Sequence, residues 1–105
     1  MKIKILKKTL KNIFIKHGLN KFHAQTSSNY ILKAELVGAS SHGLTRLKMY
    51  CNRLKKKLIN PKPNIKIKKI SNSIFHINAD NSIGFVAADI GIKKAILCAK
   101  KTGFA

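Results

Sequence analysis

The sequence predicts an α+β domain of about four helices plus a two-stranded β element. Three observations lead there. Apolar residues recur at three- and four-residue steps in four separate stretches, a short segment between them alternates with period two, and 105 residues suffice for one modest core.

In the first stretch Ile3, Leu6, Leu10, Ile13 and Phe14 form the apolar stripe, with Lys4, Lys7, Lys8, Lys11 and Lys16 mostly filling the other positions. Gly18 follows where a left-handed cap belongs. Such a helix either packs by its apolar face or lies on a membrane by its basic one; as the first element of a small domain it is expected to pack. A second helix is expected from about Lys21 through Ile31, Leu32 and Leu36 to Gly38. "GASSHG" over 38–43 is small, polar and turn-prone. Leu44, Leu47, Cys51, Leu54 and Leu58 then give a third helix one apolar seam.

Pro61 and Pro63 in "INPKP" end that helical run. Ile65 and Ile67 alternate with Lys66 and Lys68, "SNS" at 71–73 supplies a turn, and Phe75, Ile77 and Ala79 share one face, which fits two short strands forming a hairpin. "DNS" at 80–82 is expected to cap a fourth helix, with Asp80 as its N-cap. That helix carries Ile83, Val86, Ile90 and Leu97, with small Ala87, Gly91, Ala95 and Cys98 beside them. Gly103 stands where it should close. Phe14, Phe22, Phe75, Phe85 and Phe104 are expected to be spread through the core.

The charge needs its own account. Twenty Lys and two Arg face Glu35, Asp80 and Asp89, for a net charge of +19. Nucleic acid or an anionic membrane would explain it. So would base composition, since 15 Ile and 9 Asn accompany the 20 Lys and all three have A/T-rich codons. The tenfold excess of Lys over Arg favours the second explanation, because readers of phosphates and bases use Arg for bidentate contacts. Nonspecific, salt-dependent association with polyanions follows from the charge in either case.

Cys51 and Cys98 lie 47 residues apart with no metal-ligand or redox spacing, so two small buried thiols in a reducing, cytoplasmic setting are expected. "MKIKILKKTLKNIFIK" has Lys throughout and lacks the unbroken apolar region of a secretory signal. No apolar run approaches a membrane span. His17, His23 and His76 have no partners at metal-ligand spacing, and no metal site is expected.

His42 and Arg46 stand four apart. If the third helix begins by Gly43, they share one face near its N-terminus, with Ser41 just ahead. Arg46 could then pair with a carboxylate and His42 supply a proton or polarise a carbonyl. On the residues alone, the pair is equally the polar side of a packing helix.

The order of the whole string carries more information. It runs "KKTLKNIFIKHGLNKFHAQ", "ILKAELVGASSHGLTRLKMYCNRL", "LINPKPNIKI", "FHINADNSIGFVAADIGIKKAI" and "CAKKTGFA". Its most specific elements are Gly38 with Ser41-His42-Gly43 and Arg46, then Asn60-Pro61, then Asp80 and Gly84. Over essentially its full length the chain resembles the type-2 malate/L-lactate/ureidoglycolate dehydrogenase-like family of NAD(P)-dependent oxidoreductases.

That resemblance implies a non-Rossmann fold in which such an N-terminal part packs with C-terminal segments against a separate NAD(P)-binding domain. It implies hydride transfer between the nicotinamide and a small 2-hydroxy, 2-oxo or 2-imino acid. On matched positions, Ser41 and His42 would line the cleft beside nicotinamide and substrate, His42 with a catalytic role. Arg46, beside Ser41, would hold the substrate carboxylate, and Gly84 would permit close packing at the start of the last helix. Glu35 stands where the family commonly has Asp, at a position not read as catalytic.

The sequence stops at Ala105, ahead of the family's second histidine motif, a lysine and the cofactor domain. Residues 1–105 are therefore expected to be a single N-terminal fragment of a truncated or degraded member, without an NAD(P)-binding domain. Such a fragment is expected to be inactive alone and to bind NAD or NADP weakly. Its implied partners are the small acid, a second copy in a homodimer, or a complementing C-terminal chain. A basic binding module for nucleic acid or anionic lipid, and a structural remnant, are the alternatives.

Overall fold

The computed structural model describes residues 3–38 and 43–103. Four helices and one hairpin follow in the order α1 (Ile3–Lys16), α2 (Lys21–Leu36), α3 (Leu47–Lys55), β1 (Lys66–Lys69), β2 (Phe75–Asn78) and α4 (Gly84–Thr102), with a 3₁₀ turn over Leu44–Arg46 leading into α3.

α1 and α2 form an antiparallel pair. Gly18 makes the reversal at φ +103°, a conformation that favours glycine, and the Leu19 N–H donates to the Phe14 carbonyl at 3.1 Å. Asn20 then caps α2, its Oδ1 accepting the His23 N–H at 2.7 Å. The two helices bury Leu10, Phe14, Ala24, Ile31 and Leu32 between them and against Leu19, Leu54, Ile59, Ile83 and Val86, in one apolar cluster. α2 also buries two serines. The Ser28 hydroxyl donates to the Ala24 carbonyl at 2.7 Å, while Ser27 Oγ is buried with no hydrogen-bond partner.

β1 and β2 are antiparallel in the register Lys66 with Asn78, Ile67 with Ile77, Lys68 with His76 and Lys69 with Phe75. The alternation works as expected on β2, where Phe75, Ile77 and Ala79 are half-buried and their neighbours exposed. The hairpin lies on α4 at Gly91, where a Cβ would sit 3.4 Å from Ile77 Cδ1. Lys94 stands over the Phe75 ring, 4.7 Å from its centre.

Several positions depart from the sequence reading. Leu58 is not on the α3 seam: the helix ends at Lys55, Lys57 turns left-handed at φ 61°, and the Leu58 N–H closes onto the Arg53 carbonyl at 2.8 Å. That turn exposes Leu58 and buries Ile59 instead. Leu97 is 55% exposed while Cys98 is buried: the buried residues of α4 are Val86, Asp89 and Cys98, with Phe85 and Ile90 packed against the core. Phe22 is also exposed, and Phe104 lies outside the described residues.

Asp80 is not the N-cap of α4, which begins at Gly84 after Ile83 without a side-chain cap. Asp80 and Asn81 both have positive φ, 51° and 57°, and the Ser82 N–H donates to the Ala79 carbonyl at 3.0 Å. This is the tight turn in which Asp and Asn tolerate a left-handed backbone. It sends the Asp80 carboxylate to the loop after α3, where Oδ2 accepts the Asn64 N–H at 2.8 Å and Asn60 Nδ2 at 3.1 Å. Asn81 Nδ2 donates to the Leu58 carbonyl at 2.7 Å. The Asn60-Pro61 segment is thereby held against the molecule, with Pro61 placed where a Cβ on Gly18 would meet it at 3.2 Å.

Candidate functional site

The segment bearing the predicted site joins α2 to α3. α2 closes with the Gly38 N–H donating to the Glu35 carbonyl at 3.2 Å, Gly38 itself having φ +84°. The chain returns at Gly43, which is buried against the α2 backbone: a Cβ there would lie 3.0 Å from the Glu35 nitrogen and 3.2 Å from its Cα. Its φ is −101°, so the requirement is close approach rather than a left-handed backbone.

Glu35 then does what the sequence reading did not assign to it. Its Oε1 accepts the Leu44 N–H at 3.2 Å, satisfying a donor that the start of a helix leaves unpaired. This bond ties the two flanks of "GASSH" together.

Arg46 is half-buried at the last residue of the 3₁₀ turn, its N–H donating to the Gly43 carbonyl at 3.0 Å. The 3₁₀ turn covers Leu44–Arg46, and α3 proper begins at Leu47. Gly43, with φ −101° and ψ −130°, stands just ahead of that turn. Ser41 and His42 lie outside the described residues. Of the predicted site residues, Arg46 is therefore the one whose position the structure gives.

Beside α3 is a polar and aromatic cluster with no obvious sequence signature. Tyr50 packs edge-on against Phe85, with ring centres 5.2 Å apart, and Tyr30 stacks on Phe85 at 6.1 Å and 7°. The Tyr30 hydroxyl donates to Asp89 Oδ1 at 2.8 Å, and Lys93 Nζ reaches Asp89 Oδ2 at 2.8 Å. Asp89 is buried. The Lys93 ammonium holds its carboxyl below the usual carboxylate range, with the Tyr30 hydrogen bond acting in the same direction against desolvation. Bonding to that carboxylate keeps the Tyr30 hydroxyl protonated to higher pH than an ordinary phenol. The cluster links α2, α3 and α4 across 59 residues of sequence. A sparse acid inventory was its one available signal: in a chain with three carboxylates, a buried one needs partners.

Two further sequence expectations resolve here. Among the described residues Gly84 has no close packing partner, since a Cβ there would meet nothing within 4 Å. Burial pushes the Cys51 thiol up, which reduces its thiolate and suits a packing role.

Among the described residues Gly18, Gly43 and Gly91 face Pro61, Glu35 and Ile77, whereas a Cβ at Gly38, Gly84 or Gly103 would meet nothing within 4 Å. No helix among the described residues is long and apolar enough to cross a membrane.

Comparison with known proteins puts this geometry in context. A family model described as malate/L-lactate dehydrogenase matches residues 1–105. The malate/(S)-sulfolactate dehydrogenase of Methanothermus fervidus is 37% identical over 82% of this chain and 25% of its own length. The ureidoglycolate dehydrogenase (NAD(+)) of Escherichia coli K12 is 32% identical over 95% of this chain and 29% of its own. Among solved structures, malate dehydrogenase from Pyrococcus horikoshii OT3 superposes with a TM-score of 0.89 at 30% identity, over 93% of this chain and 28% of that one. Sulfolactate dehydrogenase from Methanocaldococcus jannaschii gives 0.87 at 35% identity, over 90% and 28%. The chain thus spans between a quarter and a third of the length of these relatives.

Proposed function

The chain belongs to the malate/L-lactate dehydrogenase family, and from that premise we propose that it is the N-terminal, substrate-side unit of a nicotinamide-dependent oxidoreductase acting on a small 2-hydroxy or 2-oxo acid. In this reading the NAD(P)-binding domain lies outside residues 1–105, and the unit alone does not catalyse turnover. The observation that carries it is the joint between α2 and α3, where Glu35 and Gly43 fix the turn that ends in Arg46.

Arg46 binds the substrate carboxylate through its planar guanidinium, an interaction that lysine would not reproduce. Ser41 and His42 complete the pocket beside the nicotinamide, with His42 polarising or protonating the substrate oxygen. Glu35 is a positioning residue. It touches neither substrate nor cofactor and acts by holding the flanks of the segment that bears Ser41 and His42. In this reading the cofactor's affinity comes from the other domain.

The test is reconstitution. The chain is joined to, or co-expressed with, the remaining length of the Escherichia coli ureidoglycolate dehydrogenase, and NAD(P)H oxidation is followed with a panel of 2-oxo acids. Arg46→Ala should raise KM about 10- to 100-fold, the loss of a charge-assisted hydrogen-bonded pair. His42→Ala should instead lower kcat. If a reconstituted enzyme keeps both constants in both variants, these assignments are wrong.

A further inference from the structure

One face of α1 is used neither by the core nor by the site above. Lys4, Lys7, Lys8 and Lys11 project from one side of the helix and, with Gln25 and Ser28 of α2, line an open groove of about 330 Å³. Lys11 Nζ reaches Gln25 Oε1 at 3.5 Å, a long contact to a neutral group. Among the described residues no carboxylate lies within 4.0 Å of these four ammonium groups. The three acids are engaged elsewhere: Glu35 with the Leu44 N–H, Asp80 with Asn60 and Asn64, and Asp89 with Tyr30 and Lys93. Four like charges within two helical turns therefore stand without internal compensation, and an external anion lowers their mutual repulsion.

The groove does not end in polar surface. Lys7 also borders a second hollow, formed with Ile3, Asn29, Leu32, Lys33 and Leu36. Ile3 and Leu36 there are each more than half exposed, as is Ile5 on α1. Cations thus grade into aliphatic surface where the start of α1 meets the end of α2. No arginine and no aromatic ring lines either hollow, so the bidentate phosphate contacts and base stacking of nucleic-acid readers have nothing to work with. Ammonium groups beside exposed aliphatic chains match the headgroup region of a bilayer, with phosphates at one level and the first methylenes just below.

We propose that the Lys4–Lys11 face, with Ile3 and Leu36, docks this chain on the surface of an anionic bilayer. The contact is peripheral: the ammonium groups meet lipid phosphates and the aliphatic side chains enter the headgroup boundary.

The experiment is co-sedimentation of the 105-residue chain with vesicles of mixed phosphatidylglycerol and phosphatidylcholine, compared with phosphatidylcholine alone. Two quadruple Lys→Gln variants of equal net charge are measured beside it, one at Lys4, Lys7, Lys8 and Lys11, the other at the exposed Lys62, Lys66, Lys68 and Lys100. The chain should bind the anionic vesicles alone. At about 0.15 M salt, where the Debye length is about 8 Å, the α1 variant should lose on the order of 10³-fold in partitioning, and the control variant at least about tenfold less. An Ile3→Ser, Leu36→Ser variant with all its lysines should weaken binding in high salt more than in low salt, since aliphatic insertion is what salt leaves intact. Equal losses in both quadruple variants would mean diffuse charge and overturn the assignment. So would binding to single-stranded RNA that falls with the α1 variant while vesicle binding does not. Circular dichroism of each variant confirms that its helices persist.

Discussion

Asp89 shows how much a single residue holds in a chain this basic. Its two oxygens accept from Tyr30 on α2 and from Lys93 one turn along α4, so one carboxylate serves both an inter-helix bond and a local ion pair. The folded state depresses its pKa. A depressed carboxylate contributes stability that is fully present above its unfolded value and is lost as pH falls from there through the folded value. Thermal midpoints should therefore decline once pH drops below the ordinary carboxylate range, and Asp89→Asn should flatten that limb. At neutral pH the same substitution should cost about 1–3 kcal/mol, since a buried charge-assisted network is broken. If the Asp89→Asn protein keeps both the stability and the acid slope of the parent, the cluster is incidental. None of this was legible locally, because the Tyr30 and Asp89 partners are 59 residues apart. The residue types of the proposed site, Arg46 among them, can be named from the sequence. Its support cannot: Glu35 reads as an ordinary acid near a helix end until the chain folds back on it.

At the scale of elements, the joint between α2 and α3 decides where Arg46 stands. Gly43 lies so close to the Glu35 backbone that a methyl group would sit 3.0 Å from its nitrogen, and the backbone would have to give. Gly43→Ala should push α3 off α2, at a cost of about 1–3 kcal/mol for overpacking against that backbone. Hydrogen exchange should then show faster opening in Leu44–Lys55 with little change in α1, and uniform protection in that variant would contradict the close approach. Periodicity works best for α1 and β2, whose apolar repeats their backbone geometry turns into one face, whereas β1 is exposed throughout and Leu36 of α2 faces outward. It failed where a loop overrode the pattern. Leu58 continued the seam numerically, but the left-handed Lys57 turned the chain and Ile59 took the buried place. Asp80 had the chemistry of a cap and became a staple for the Asn60–Asn64 loop, because its own left-handed backbone aimed it there.

The whole molecule is elongated, with extents of 44 × 30 × 22 Å and a radius of gyration of 15.1 Å, against about 13 Å for a compact globule of this length. Many large apolar side chains stay exposed, among them Ile92, Ile96 and Leu97 along one stretch of α4. A net charge of +19 on such a frame repels itself, and among the described residues one ion pair, Lys93 with Asp89, offsets it directly. Screening should therefore stabilise the fold. The thermal midpoint should climb by several degrees as sodium chloride rises from about 10 mM to about 500 mM, a range over which the Debye length shrinks from about 30 Å to a few ångströms. A midpoint that stays level or falls across that range would mean that self-repulsion is not a significant cost.

By itself the sequence determined the fold class, the order and approximate bounds of its elements, the charge, and the family, since these depend on patterns that repeat along the chain and on motifs that are contiguous or nearly so. Tertiary structure decided what each sparse polar residue does: that Glu35 bonds Leu44, that Asp80 leaves α4 for Asn64, that Asp89 joins Tyr30 to Lys93, and that Gly43 rather than Gly84 is the glycine where a side chain would be crowded. The physical reason is range. An apolar stripe is specified by neighbours three and four residues away, whereas a hydrogen bond or a close backbone contact is specified by whichever atoms folding brings within about 3 Å, and no local pattern encodes that meeting.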